Sequence, residues 1–338
     1  MPKECETVEP IRVVQMGLGA VGCGIAQTAM GRSQLQMVGA IDVDPAKVGR
    51  DLGELLGVEE ALGIPISASL GDVLASQPVD VVLQATGSHI PDVVHQLKEI
   101  AEAGCDVVST CEELAYPWLR HPELAHEIDA KARECGVTIL GTGVNPGFVM
   151  DTLVLVATAV CSGIRRIESR RIVAARERRL ALQQKIGSGM EQAEFRQLAA
   201  RDEIGHVGLR ESFYLIAAGL GWEIPAAQET IEPVFAEERI PTEDFDIVAG
   251  QVAGIHQTVH GASEGRELML DLTMSMAAAA SQDSIKIEAN PPMHVEVVGG
   301  THGDQATWSM VANMVPRVAA APAGLLTMLD VGLPRAIG

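Results

Sequence analysis

IRVVQMGLGAVGCGIA, residues 11–26, is the stretch that decides the fold. Its first six residues are rich in Val and Ile and read as a buried strand. The strand runs into Gly17, Gly19 and Gly22, spaced as GxGxxG, and within that motif Ala20 and Val21 open an apolar helical pattern reaching Gly31. The first glycine permits a tight turn and the second lets backbone amides approach a pyrophosphate. The third lets the helix lie close to the strand, and the helix N-terminus attracts the anion. The implied ligand is a dinucleotide, cradled by Gly17, Gly19, Ala20, Val21 and Gly22. A glycine-rich turn without a ligand is the alternative reading.

Downstream, short β-rich runs alternate with longer helical patterns as far as residue 150. Strands are expected at 37–42, 79–84, 106–109 and 137–140, and helices at 70–76, 89–103 and 117–135. Runs that are apolar along their length suit strands covered on both faces, so residues 1–150 read as a Rossmann domain, a doubly wound parallel sheet. The opening MPKECETVEP is polar and reads as a frayed lead-in. Asp42 closes the second strand, about 20 residues beyond the loop, where an acid accepts from ribose hydroxyls and so favours NAD over NADP. Asp44 competes for that role, and Lys47 and Arg50 would still tolerate a 2′-phosphate, so dual specificity stays open. Ala85, Thr86 and Gly87, in LQATGSH, are small residues at a third strand end, suited to let a loop pass the cofactor.

The next strand, DVVST, ends at Thr110, also expected to face the cofactor, and continues into Cys111, Glu112 and Glu113. Open α/β sheets place ligands at this carboxyl edge. A carboxylate there can move protons or stabilise a cationic intermediate; a charge pair capping a helix near Pro117 is the other reading. Thr142, Asn145 and Phe148, in GTGVNPGF, follow the next strand at the same edge, where Asn145 would bind a polar group of cofactor or substrate. Asn-Pro-Gly is also an ordinary turn.

After Asp151 the rhythm changes to a helix at 152–160, a strand at 164–175, helices at 191–203 and 207–219, and strands at 248–260, 267–276, 284–288 and 294–298. Residues 151–338 therefore read as an α+β domain on a mostly antiparallel or mixed sheet, for substrate binding and oligomerisation, with a helix at 304–318 packing back on the first domain. Arg170 and Arg171 belong to an arginine cluster in an acidic chain and are candidates for gripping a substrate carboxylate. His206, His256, His260 and His302 lack zinc-ligand spacing, and no metal is expected.

The charge balance narrows the partners. The chain has 338 residues with 25 Lys plus Arg against 45 Asp plus Glu, a net charge of −20, so nucleic acid and anionic membranes would meet repulsion. No apolar run approaches the ~20 residues of a membrane span. Six cysteines occur singly, without CxxC pairs or a secretory leader, which points to reduced thiols in the cytoplasm.

Taken with VGAIDVDPAKVGRDLGELLG, VSTCEELAYP, GTGVNPGFVMDTL, RRLALQQKIGSG, GHVGLRES, GGTHGDQAT and APAGLLTMLDVGLPR, the opening motif resembles the 2,4-diaminopentanoate dehydrogenases and related native amine dehydrogenases, similar in architecture to dihydrodipicolinate reductase. The resemblance implies NAD(P)H-linked interconversion of an amine with a carbonyl compound plus ammonia. It implies a glutamate of the CEE motif as acid/base, Glu112 ahead of Glu113, and a pocket lined by Thr142, Asn145 and Phe148 with His302 in a closing motif. The apolar run Ile172–Ala175 stands where the family often carries a polar residue, which points to a simpler amine than a diamino acid. An alcohol or hydroxy-acid dehydrogenase and a silent NAD-binding sensor are the rival readings. A homodimer is expected from the commonness of closed homo-oligomers.

Overall fold

The structure is a computed structural model that describes residues 9–337. The lead-in up to Val8, with Cys5, lies outside the described residues. The chain divides into two compact units. One holds the described residues up to Gly147 and from Gly303 onward, and the other holds Phe148–His302.

The first unit runs β1 (Ile11–Met16), α1 (Ala20–Met30), β2 (Leu35–Ile41), α2 (Leu52–Leu56), β3 (Ile66–Ser67), α3 (Leu70–Leu74), β4 (Val81–Gln84), α4 (Ile90–Glu102), β5 (Asp106–Ser109), α5 (Pro122–Cys135) and β6 (Thr138–Gly141). Its strands make one parallel sheet. Val13, Val14, Val81, Val82, Val107 and Ile139 are fully buried, as a sheet with both faces covered requires. α4 shows the complementary helical spacing, burying Ile90, Val93, Val94, Leu97, Ile100 and Ala101. Short elements are set by caps: Asp51 accepts from Gly53 N–H to start α2, and Ser69 accepts from Asp72 N–H to start α3. The helix expected from residue 117 starts only at Pro122, which suits a first helical turn, and Glu112–Ala115 forms a separate 3-10 turn.

The second unit contains α6 (Thr152–Thr158), β7 (Ser162–Ala174), α7 (Leu180–Lys185), α8 (Gln192–Ala199), α9 (Leu209–Gly219), β8 (Gln228–Phe235), β9 (Ile240–Pro241), β10 (Asp246–Ile247), β11 (Val252–Ser263), β12 (Arg266–Ser275), β13 (Gln282–Asn290) and β14 (Met293–Val297). Six strands form a sheet in the order β14-β13-β7-β12-β11-β8, mixed because β7 and β12 run parallel while the other pairs are antiparallel. Alternation separates its faces. Ile167, Val173, Ile255, Val259, Leu268, Leu270 and Leu272 are buried on the inner side, against which α9 packs. Gly261 has no Cβ because one would sit 2.8 Å from the Phe213 ring.

Back in the first unit, α10 (Gly303–Val318) packs on α1, and β15 (Gly324–Leu326) completes the order β15-β6-β5-β4-β1-β2-β3. Trp308 fills the space Gly24 leaves open, where a Cβ would meet its ring. The sequence reading places 151–338 in the second domain with its C-terminal segment packing back on the first; residues from 303 onward count with the first unit, where β15 pairs with the open edge of β6. No helix among the described residues is long and apolar enough to cross a membrane. Cys23, Cys105, Cys111, Cys135 and Cys161 are free thiols.

Candidate active site

Beyond the carboxyl ends of β1, β2 and β4 lies a cleft of about 380 Å³, lined by Gly17, Leu18, Gly19, Asp42, Ala85, Thr86, Gln96 and Glu99 among others. The three glycines have three different reasons to be glycine. Gly17 has φ +86°, and a Cβ there would lie 2.5 Å from the Ala85 carbonyl oxygen; at Gly22 a Cβ would collide with the Gly17 carbonyl. A Cβ on Gly19 would meet nothing within 4 Å. Fold requirements therefore explain two of them, while the third leaves open space beside the start of α1, whose N-cap makes no side-chain hydrogen bond. That combination leaves room for an anion at the helix N-terminus. Ala20 and Val21 are the first residues of the helix.

Asp42 reaches into this loop. Its Oδ2 accepts from Leu18 N–H at 2.8 Å and from Lys47 Nζ at 2.9 Å, and its Oδ1 accepts from Asp44 N–H at 2.9 Å. Burial alone would raise its pKa, but these hydrogen bonds outweigh it and hold the carboxyl below its usual value. Asp42 is thus an ionised acceptor that also tethers the glycine turn. Asp44, the competing candidate, accepts from its own turn at Ala46 N–H.

Thr86 lies in a side-chain network the sequence reading missed. Its hydroxyl donates to Gln96 Oε1 at 2.5 Å, Gln84 Nε2 donates to the same oxygen at 2.9 Å, and Ser109 Oγ donates to Gln84 Oε1 at 2.5 Å. The available signal was Gln84, a polar residue ending the apolar strand VVLQ. Thr110 N–H donates to the Gln84 carbonyl at 3.0 Å, locking two strand ends together. Gly87 sits against Val93 at the entry to α4.

The adjacent carboxylates diverge. Glu113 is 3% exposed: its Oε2 accepts from Ile90 N–H at 2.8 Å, and its Oε1 lies 2.9 Å from His89 Nδ1, with His121 Nε2 3.4 Å from Oε2. Because α4 has no side-chain cap of its own at His89, Glu113 supplies one from across the sheet edge. Glu112 is only half-buried, at the start of the 3-10 turn. Burial pushes the neighbouring Cys111 thiol far up, which keeps it protonated and inert.

Of the remaining candidates in the first unit, Thr142 is buried and donates its hydroxyl to Met328 Sδ at 3.3 Å. The loop after it is held by Val144 N–H donating to Thr307 Oγ1 at 3.2 Å. Asn145 Oδ1 is shielded from solvent with no hydrogen-bond partner among the described residues.

In the second unit Phe148 is half-buried just before α6, and its carbonyl accepts from Leu153 N–H. Arg170 and Arg171 point to opposite faces of β7. Arg170 is half-exposed and 3.6 Å from Asp271, whereas Arg171 is buried, 2.6 Å from Asp283 Oδ1, and donates to the Thr301 carbonyl at 2.7 Å. Asp283 Oδ2 accepts from Thr301 N–H, so this pair clamps the turn carrying His302, which is itself exposed. Burial draws the Arg171 guanidinium down from its ordinary value against the pull of Asp283; it stays a cation. Arg171 is therefore committed to Asp283 rather than offered to a ligand. No group of three or more His, Cys, Asp or Glu among the described residues is arranged to hold a metal.

Comparison with known proteins fits this arrangement. Residues 11–111 match the family model described as dihydrodipicolinate reductase, N-terminus, and residues 148–338 match the 2,4-diaminopentanoate dehydrogenase C-terminal domain. A 2,4-diaminopentanoate dehydrogenase from Acetoanaerobium sticklandii is 33% identical over 98% of this chain and 96% of its own. An amine dehydrogenase from Streptomyces virginiae is 25% identical over 97% of this chain and 98% of its own. The solved amine dehydrogenase of Mycobacterium smegmatis superposes with a TM-score of 0.86 at 27% identity, covering 96% of this chain and 97% of that one. With one family model spanning 148–338 and a relative of 33% identity along nearly its whole length, the chain belongs to the 2,4-diaminopentanoate dehydrogenase family.

Proposed function

We propose that this chain is an NAD(P)H-dependent amine dehydrogenase, reductively aminating a ketone or aldehyde with ammonia and running the reverse oxidative deamination. The observation that carries the reading is the placement of Glu112, a partly buried carboxylate opening the turn after β5, at the same carboxyl edge of the sheet as the glycine turn. The names of the relatives point the same way.

The residues fit a dinucleotide. Gly19 leaves space where a Cβ would stand, the α1 N-terminus lacks a side-chain cap, and Asp42 offers an ionised acceptor for ribose hydroxyls. When bound, a nicotinamide cofactor supplies the hydride. NAD is favoured, because Asp42 and Glu99 both line the cleft and Lys47 is engaged by Asp42. Ala85, Thr86, Gly87 and Thr110 would face it, and Asn145 Oδ1 is a free acceptor for an amide or ammonium N–H.

For the chemistry itself, ammonia adds to the carbonyl carbon, the C–O bond then breaks as water leaves, and the resulting substrate iminium accepts hydride. Glu112 first takes a proton from ammonium to release the ammonia that adds, and the adduct's N–H proton passes to the carbonyl oxygen. Glu112 then returns its own proton to the resulting hydroxyl so that it departs as water, leaving the carboxylate to face the iminium charge. Thr142 is held as part of the wall. Phe148, Arg170 and His302 are proposed as substrate contacts, tested by KM in Ala variants. The substrate is 2,4-diaminopentanoate or a simpler amine. The half-exposed outer face of the mixed sheet supports a homodimer, and five free thiols support a cytoplasmic setting.

The test is NADH oxidation at alkaline pH with ammonia and a panel of aldehydes, ketones and 2-amino-4-oxopentanoate, for wild type, Glu112→Ala and Glu113→Ala. Ammonia-dependent turnover abolished by Glu112→Ala in a folded protein is the expected result. Turnover indifferent to ammonia would assign a carbonyl or alcohol dehydrogenase, and NADH binding without any turnover would assign a sensor.

A further inference from the structure

A second concavity of about 430 Å³ lies wholly within the second unit, lined by the start of β7, the end of α9 and the β11–β12 turn. In the parallel ladder Glu267 pairs with Arg166 and Leu268 with Ile167, and Arg266 and Arg165 are the residues just before its first pair. Neighbouring strands run about 4.8 Å apart, and period-two alternation puts both side chains on the face that buries Ile167 and Leu268. Two guanidiniums thus emerge at the same end of two central strands, and both line the concavity.

Like charges in that position repel unless something neutralises them. Among the described residues Arg165 has no ion-pair partner. Arg266 has only Glu264, 3.8 Å away and 80% exposed, which is the sole carboxylate lining the concavity. Arg266 Cζ also lies 6.0 Å from the centroid of the Trp222 ring, within reach of a cation–π contact. The backbone leaves room around it: a Cβ on Gly163, Gly221 or Gly265 would meet nothing within 4 Å. The same concavity has an apolar part, lined by Ile164 and Leu220.

We propose that this concavity is a binding site for a phosphate group, with Arg165 and Arg266 as its ligands and the Ile164–Leu220 wall taking the short organic part of a phosphomonoester. Paired guanidinium forks match phosphate oxygens bidentately. The repulsion between the two arginines is relieved by the dianion, so phosphate gains most from both being present. The site is separate from the cofactor cleft, shares no residue with it, and does not rest on the activity proposed above.

The experiment is calorimetric titration of the full chain with inorganic phosphate, glycerol 3-phosphate and succinate at constant ionic strength, with intrinsic tryptophan fluorescence as a second readout. It is run with and without NADH, on wild type, Arg165→Gln, Arg266→Gln and Trp222→Phe, each checked for an unchanged melting temperature. One saturable phosphate site is expected, weakened at least tenfold by either Arg→Gln change and unaffected by NADH, with the fluorescence response lost in Trp222→Phe. Tighter binding of glycerol 3-phosphate than of phosphate supports the monoester assignment, and equal affinity reduces the ligand to free phosphate. Absence of binding, displacement by NADH, succinate binding equal to phosphate, or Arg→Gln variants that bind like wild type would each overturn the proposal.

Discussion

At the carboxyl edge of the parallel sheet, polar groups are turned toward a cleft; in the mixed sheet of the second unit they are turned mostly toward one another. Gly19 and Asp42 line that cleft, with space left at Gly19 and the Asp42 carboxyl ionised. By contrast Arg171 meets Asp283, Arg166 meets Glu267, and His256 meets Asp271 across the strands. The difference follows from where the groups stand, at strand ends in the first unit and along strand faces in the second. In a parallel sheet every strand delivers its loop to the same edge, so side chains there converge on a ligand. Along the faces of the mixed sheet, side chains on neighbouring strands stand beside one another, and opposite charges there neutralise each other, Arg171 with Asp283 across an antiparallel pair and Arg166 with Glu267 across the parallel one.

The comparison breaks most visibly at Glu112. Glu112→Gln should lower kcat by about 10²- to 10⁴-fold, the usual worth of general acid/base catalysis, with no change in melting temperature. A variant that loses stability with activity would make Glu112 a structural group like Glu113. In the second unit the largest effect belongs to stability: Asp283→Ala strands a buried guanidinium and should cost about 3–5 kcal/mol in urea unfolding. Arg171→Met combined with Asp283→Leu should recover much of that, and a double variant as unstable as the single one would mean that the Thr301 clamp matters more than the charge pair.

Glycines sharpen the contrast on a smaller scale. Gly19→Ala should leave folding intact while weakening NADH binding about tenfold, or ~1.4 kcal/mol. Gly22→Ala should impair folding itself, since its Cβ overlaps the Gly17 carbonyl. Equal melting temperatures for the two variants would contradict this division. The smallest effect is the Arg12–Asp80 pair at the start of β1. The Arg12 hydrogen bond holds Asp80 below its ordinary 3.8, so its contribution is present in full above that value and fades as pH falls through the lower folded one. With both side chains over a third exposed, the stability gap between wild type and Asp80→Asn should be at most about 1 kcal/mol at pH 7 and close below pH 3.8.

Strand β1, the glycine turn and Asp42 were readable because their requirements are local: a turn, a close approach, a strand end. The short elements α2, β3, β9 and β10 carry too few residues for any periodicity to register. β8 was hidden because its outward and inward residues are all partly exposed, which blurs alternation. Arg170 and Arg171 looked equivalent as neighbours in a basic cluster, and only the ladder to β13 turned one of them inward onto Asp283.

The sequence by itself determined the alternation of strand and helix, the dinucleotide turn, and the presence of two carboxylates after β5. Those properties depend on residues close in the chain. Only the tertiary structure decided that Glu113 caps α4 from 23 residues away while Glu112 stays half-exposed, and that the last strand returns to extend the first sheet. The reason is that a side chain's burial and partners are set by segments distant in sequence, and two adjacent glutamates become chemically different only once those segments have packed around one of them.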